Sequence, residues 1–388
     1  MLRKLINEYT DPFYLFDMRI LKERLLYLKK SLPNKRLVYA VKANTFIIKE
    51  MDSYIDRYEV CSPGEGHICL ELGIDMDKMV ISGVYKSPDF IEYLIKEYKD
   101  KGIYTIESLT QLKLLLELEE KYEVKLKVLL RLTSANQFGL DEADLRYILK
   151  EYPNSFNYLG LQYYSGTQKK SEKRLVRELG KLDELLKSLR EDYSFNPPEL
   201  ELGPGLPVAY FKDEEYNEVE HLEALNELLD KMSYSGEISL ELGRAIAAEC
   251  GSYFTRVVDM KRNKNESYAI VDGGMNHIAY YGQSLAMRIP FVTKHTKNPD
   301  GALELYNICG SLCTTNDIIV KSLELNGLMV GDILEFKRTG AYSMTEGISL
   351  FLSRDLPRIF IINENNELKE VRNALPTYKI NKPNYGGK

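Results

Sequence analysis

The sequence lacks most of the features that place a protein in a class at first sight. No apolar run approaches the roughly 18 to 20 residues that a membrane span needs. Cysteine is scarce: the five residues at 61, 69, 250, 309 and 313 are scattered and odd in number, which is not a disulfide framework. Histidine is scarcer, and His67, His221, His277 and His295 show no ligand spacing, so no metal site is expected. Positive charge is not in excess. With 52 Lys and Arg against 58 Asp and Glu the net charge is −6, which argues against nucleic-acid binding as the main role. Low-complexity tracts and short solenoid repeats are missing too. The opening MLRKLINEYTDPFYLFD has no signal-type apolar core, and a reduced, cytoplasmic protein is the expectation.

What is present is a rhythm. The 388 residues allow two or three domains. Short β-rich runs recur at 36–41, 57–61, 79–82, 103–106, 127–132, 158–164, 199–202 and 237–242. Between them lie charged stretches such as SPDFIEYLIKEYKDKG, where apolar residues return every three or four positions. Strand-helix alternation implies parallel pairing, and eight such units predict a (β/α)8 TIM barrel over 21–250. After Cys250 helical periodicity nearly vanishes. Runs at 252–261, 267–272, 303–310, 317–323 and 358–363, joined by turn-like NKNES, GDI and NENNE, predict a mostly antiparallel β domain over 251–388. The segment 1–20 is expected to pair into that domain, tying the chain ends together.

In such a barrel, chemistry gathers where strands end on their carboxyl side. Lys42 closes the run LVYAVKAN among apolar neighbours, and a desolvated lysine amine is suited to forming a Schiff base. Arg131 stands near the end of strand five and Tyr164 ends strand six. Gly203-Pro204-Gly205 follows strand seven, and Glu241-Leu242-Gly243-Arg244 closes strand eight. Singly, the glycine loop is a plain turn and Glu241 a barrel-mouth partner for Arg244. Their shared place at loops seven and eight also allows a phosphate cradle and a carboxylate that holds a pyridine nitrogen protonated, beside the plain turn and the salt bridge.

The motifs YAVKANT (39–45), ELGPG (201–205), ELGR (241–244), VDGGMNH (271–277), GSLCTTND (310–317) and GAYSMTEGISLFLSRDLP (340–357) resemble the fold-type III pyridoxal-phosphate decarboxylases, the alanine-racemase-like barrel with a β domain. The diaminopimelate decarboxylase branch is nearer than the ornithine branch. The resemblance implies pyridoxal 5'-phosphate as cofactor, in Schiff-base linkage with Lys42. It implies Gly203, Gly205, Gly243, Arg244, Thr167 and Tyr342 around the phosphate, Tyr164 over the ring, and Glu241 at the pyridine nitrogen. It also implies a homodimer in which Cys313 and Asp317 cross from the second subunit, Cys313 near the carbon to be reprotonated and Asp317 near the substrate's distal end.

The departures bear on the substrate. Tyr164 and Gln162 stand where the family has histidines, Leu242 replaces the proline of E-P-G-R, and Pro204 replaces a glycine. Thr314 stands where diaminopimelate decarboxylases have glutamate, and Tyr280 where their substrate-binding arginine is expected. The expectation is therefore α-decarboxylation of an amino acid with a polar, conjugated or carrier-bound side chain, as in the siderophore- and antibiotic-pathway members. The alternatives are a diaminopimelate decarboxylase, an amino-acid racemase and a non-catalytic pyridoxal-phosphate-binding homologue. Glu241 argues against the racemase, which has arginine at the pyridine nitrogen, and the presence of Lys42 argues against the non-catalytic reading.

Overall fold

The structure is a computed structural model that describes residues 2–296 and 300–384. Residue 1 of the expected span 1–20, and residues 297–299 and 385–388 of the expected span 251–388, lie outside the described residues. Contacts divide the chain into two compact units. One comprises Arg24–Val208 and Tyr216–Ile246; the other gathers Ala209–Glu215 with the described residues up to 23 and from 247 onward. Strand β1 (Phe13–Asp17) belongs to the second unit.

The first unit is a closed barrel of eight parallel strands: β2 (Lys35–Ala40), β3 (Arg57–Val60), β4 (Met79–Ile81), β5 (Ile103–Ile106), β6 (Lys127–Leu132), β7 (Asn157–Tyr164), β8 (Glu199–Gly203) and β9 (Glu237–Leu242). Pairing of β2 with β9, Val38 opposite Glu241, closes the ring. The helices between strands form because their apolar residues fall on one face. In Pro88–Tyr98, Phe90, Ile91, Leu94 and Ile95 are buried, and proline occupies the first helical position, where no amide partner is lost. Their starts are fixed by caps directly behind strand ends: Ser62 Oγ accepts from Glu65 N, and Ser108 Oγ accepts from Gln111 N. Each cap sets how a strand turns into its helix, and so where the rim side chains point.

The inside of this barrel is unusually polar for a fold whose interior is commonly filled by branched aliphatics. Glu59, Thr105, Arg131, Gln162, Glu199, Glu201, Ser239 and Glu241 are all buried. Glu199 of β8 is matched across the ring: it meets Arg57 of β3, and its Oε1 also accepts from Ser239 Oγ of β9 at 2.6 Å. Such pairing is what makes buried charge tolerable.

The second unit is a sheet built from β1, β10 (Gly251–Asn263), β11 (Glu266–Val271), β12 (Val292–His295), β13 (Leu303–Cys309), β14 (Ile318–Asn326), β15 (Ile333–Lys337), β16 (Arg358–Ile362) and β17 (Leu368–Arg372). Its main path runs β14-β13-β11-β10-β1-β16-β17, with β15 pairing β10 and β12. Pairing is antiparallel except at β1 with β16 and at β11 with β13. β1 therefore lies inside the sheet, between β10 and β16. Phe13 stacks on Phe254 with ring centroids 4.6 Å apart, in a core shared with Leu5, Leu15, Ile333, Phe360 and Ile362. No described helix is long and apolar enough to cross a membrane.

Candidate active site

Lys42 follows β2 directly, in a short 3-10 turn at Val41–Ala43. The turn is held from both sides: Tyr39 donates its hydroxyl to Asn44 O at 3.0 Å, and Asn44 Oδ1 accepts from Phe46 N at 2.9 Å. The lysine head is not in the apolar surroundings its sequence neighbours suggest. Tyr39, Ala40 and Val41 are buried around the chain, but Nζ lies 2.6 Å from Glu59 Oε2, 3.2 Å from Glu241 Oε1 and 3.7 Å from Cys61 Sγ. The correction has a simple cause. Closure of the barrel brings β3 and β9 to either side of β2, and each carries a glutamate at that level.

The two carboxyls behave differently. Burial and the charge of Glu59 push Glu241 up to about 8, against the pull of Lys42. Burial works on Glu59 as well, but Lys42, a hydrogen bond from Glu241 and Arg131 outweigh it and hold that group well below the usual carboxylate range. Of the two, Glu241 is therefore the readier to hold a proton. Arg131 extends the network, with Nη1 3.9 Å from Glu59 Oε1 and Nε 3.6 Å from Glu107 Oε2, and its guanidinium lies 5.2 Å from the Phe138 ring centroid. Lys86, buried beside Glu107, donates to Thr105 Oγ1 at 2.9 Å. Burial lowers its ammonium to about 8.

Across the barrel mouth the loops after β7, β8 and β9 converge. Arg244 Nε donates to Thr167 Oγ1 at 3.0 Å. The Tyr164 ring lies so close over Gly203 that a Cβ there would come within 2.1 Å of it. Gly205 has φ +65°, and a Cβ would stand 2.3 Å from Gly166 O. Only glycine allows these two loops to approach so closely. The result is a cradle of main chain with a hydroxyl and a guanidinium at its edge. Beside it, at the ends of β2 and β9, stand the Lys42 amine and the Glu241 carboxyl. These residues fit pyridoxal phosphate: an amine for the aldehyde carbon, an acid for the ring nitrogen, an aromatic face, and phosphate donors.

The remaining expected residues belong to the second unit. Cys313 is exposed, and Thr314 lies beside it in the turn between β13 and β14. Asp317 is buried, with Oδ1 accepting from Met275 N at 2.8 Å and Oδ2 from Leu312 N at 2.7 Å. A Cβ on Gly274 or Gly310 would strike its carboxylate at 2.6 or 2.2 Å, so Asp317 braces both motif turns. Tyr280 is buried with Phe211 and Tyr210 and donates its hydroxyl to Lys337 O at 2.6 Å. Tyr342 is half-buried with φ +64°. Glu59 was not singled out from the sequence. The only sign of it is a charged residue amid the apolar alternation of RYEV, one strand away from the lysine.

Comparison with known proteins gives the family. The family model described as pyridoxal-dependent decarboxylase, pyridoxal binding domain, matches residues 18–254. Over 399 aligned residues the chain is 26% identical to the L-glutamyl-[BtrI acyl-carrier protein] decarboxylase of Niallia circulans, covering 95% of this chain and 92% of that one. It is 26% identical over 371 residues to a diaminopimelate decarboxylase of Campylobacter jejuni, covering 88% and 89%. A solved diaminopimelate decarboxylase from Helicobacter pylori, complexed with L-lysine, superposes with a TM-score of 0.85 at 22% identity over 98% of both chains, a likeness of fold. The chain belongs to the pyridoxal-dependent decarboxylases. It is an amino-acid decarboxylase, a lyase whose cofactor is pyridoxal phosphate.

Proposed function

We propose that the chain acts as a cytoplasmic homodimer that removes the α-carboxylate of an amino acid with a single amine or amide at its far end, joined to a carrier or another conjugate, rather than of free meso-diaminopimelate. The observation that carries this reading is the state of Tyr280. The phenol at the position expected to meet a distal carboxylate is buried, and its hydroxyl is already given to Lys337 O. Asp317, expected at the substrate's distal end, gives one acceptor on each oxygen to its own main chain. Thr314 brings a hydroxyl and no charge. Diaminopimelate carries two charges at its far end. A buried charge without a partner costs several kcal/mol, and a site mismatched in polar groups rejects a ligand by a factor on the order of ten thousand. The relative from Niallia circulans, named for a carrier-protein-bound glutamyl substrate, supports the same direction.

When bound, pyridoxal phosphate supplies an electron sink for the pair left on the α-carbon as carbon dioxide departs. Lys42 would hold the cofactor through Nζ. Glu241 holds a proton at its carboxyl and shares it with the ring nitrogen. Glu59, kept ionised by Lys42 and Arg131, favours that proton's staying on Glu241. Thr167, Arg244, Gly205 and Gly243 bind the phosphate, Tyr164 covers a ring face, and Tyr342 joins the phosphate site. Cys313 of the second copy moves a proton from Sγ to the α-carbon.

Carbon dioxide release is the test, with meso-diaminopimelate, lysine, ornithine, glutamine and carrier-bound glutamyl and diamino-acid conjugates supplied in turn. Conjugates or single-amine substrates are expected to exceed meso-diaminopimelate in kcat/KM by about a hundredfold or more. Efficient lysine production from meso-diaminopimelate would overturn the substrate reading.

A further inference from the structure

Beneath the glycine loop that follows β8 lies a buried cation with no part in the steps above. The Lys169 side chain is 2% exposed. Its Nζ donates to Gly203 O at 3.3 Å and to Glu178 Oε2 at 3.0 Å. Its backbone N–H donates to Gly205 O at 2.9 Å. The aliphatic stem fills the floor of the turn, since a Cβ on Gly205 would come within 3.1 Å of it. Glu178, in the helix Glu172–Tyr193, takes a second cation: Arg174 Nε donates to Oε1 at 2.8 Å, and Arg174 Nη2 donates to Ser165 O at 2.6 Å. Gln168 adds a two-way clasp, with Nε2 donating to Val208 O at 2.9 Å and Oε1 accepting from Val208 N at 2.6 Å.

One carboxylate thus gathers two cations, and each cation grips a carbonyl of a different loop. The direction of those grips matters. In a trans peptide the N–H points opposite to the C=O. The hold of Arg174 on Ser165 O turns the Gly166 N–H the other way, and the bond from the Lys169 backbone N–H to Gly205 O does the same for Leu206, while the Lys169 ammonium anchors Gly203 O, whose peptide with Pro204 carries no N–H. Two cations against one carboxylate also leave a net positive charge under the cradle.

We propose that Lys169 is a positioning residue for the phosphate end of the cofactor site, bracing the loops 165–168 and 203–206 so that their N–H groups and Thr167 are set before a phosphate arrives. The inference rests on the reading that these loops hold the phosphate.

The test compares two ligands that differ only in that group. Binding of pyridoxal phosphate and of pyridoxal is titrated by absorbance on the full chain stripped of cofactor. The variants are Lys169→Met, Lys169→Met with Glu178→Gln (which leaves no stranded carboxylate), Lys169→Arg, and Thr167→Ala as the reference for the phosphate site. The ratio of the two affinities isolates the phosphate. It is expected to fall by about tenfold or more in Lys169→Met and in the double variant. Pyridoxal affinity should be nearly unchanged, and Lys169→Arg should recover most of the ratio. Equal loss of both ligands would mark Lys169 as merely structural and overturn the proposal. A ratio lowered by Thr167→Ala but not by the Lys169 variants would overturn the inference and leave the phosphate reading standing. A ratio unmoved by any of them would overturn both.

Discussion

Glu59 and Glu241 face one ammonium from two sides, and the difference between them is set by what else each touches. Lys42 and, on the Glu59 side, Arg131 favour the charged form of Glu59, which leaves Glu241 the readier to hold a proton. Replacing Glu241 by glutamine keeps the shape but ends proton sharing with the ring nitrogen. Turnover is expected to drop by about a hundredfold or more while the cofactor remains bound, read as kcat beside the visible absorbance. Glu201 is a related case without a catalytic part: burial pushes its carboxyl up to about 8, although Gln162 Nε2 donates to it at 2.6 Å. Its folded value lies above its unfolded one, so folding takes up a proton between about pH 4.5 and 8, and stability falls as pH rises through that window. Glu201→Gln is expected to flatten that fall by on the order of 1 kcal/mol per pH unit, measured by urea unfolding at pH 6 and pH 8. Lys42 and Glu241 were legible in the sequence because each stands at the end of an apolar run, a local fact. Glu59 was not, because only closure of the ring encloses it.

Among the elements, the barrel strands were legible because most are short apolar runs followed, after a loop, by an amphipathic helix. β12, β15 and β17 were not. Among the described residues β12 pairs only with β15, and β17 only with β16, so neither needs an apolar face of its own. The five residues of β17, LKEVR, include three charges and are exposed or half-buried. The turn-like GDI hides the start of β15, whose partner β10 lies about eighty residues earlier. The loop after β11 holds another group that pattern alone could not place. His277 is buried, its Nδ1 3.0 Å from Tyr253 Oη and its Nε2 2.8 Å from Asp355 O. Burial lowers it to about 4, only partly opposed by the bond to Asp355. The unfolded chain therefore binds a proton near pH 6.5 that the folded one refuses, and stability is lost as pH falls from about 6.5 toward 4. Urea midpoints at pH 7 and pH 5 should show that loss, and a His277→Gln protein should show less of it.

At the scale of the whole molecule, the barrel and the second β-rich part could both be counted in the sequence, but not the return of Ala209–Glu215 to the second unit. That excursion is set by distant contacts: Phe211 bridges to Pro290, and Arg338 donates to Ala209 O. Our reading of a dimer with shared sites makes a prediction at this scale. Lys42→Ala and Cys313→Ala proteins, each inactive, should regain part of the activity when subunits are exchanged, because one site per heterodimer is intact. Proven exchange without recovery would contradict it. The place of β1 has a further consequence, for synthesis of the chain. Phe13–Asp17 is synthesised well before both of its neighbours, β10 and β16, which are encoded more than two hundred residues later. At ordinary elongation rates of about 5 to 20 residues per second, that is a wait of tens of seconds. For that time FYLFD is an unpaired apolar strand in the nascent chain, in need of a chaperone or of temporary cover, while the eight strands of the barrel can already have closed behind it.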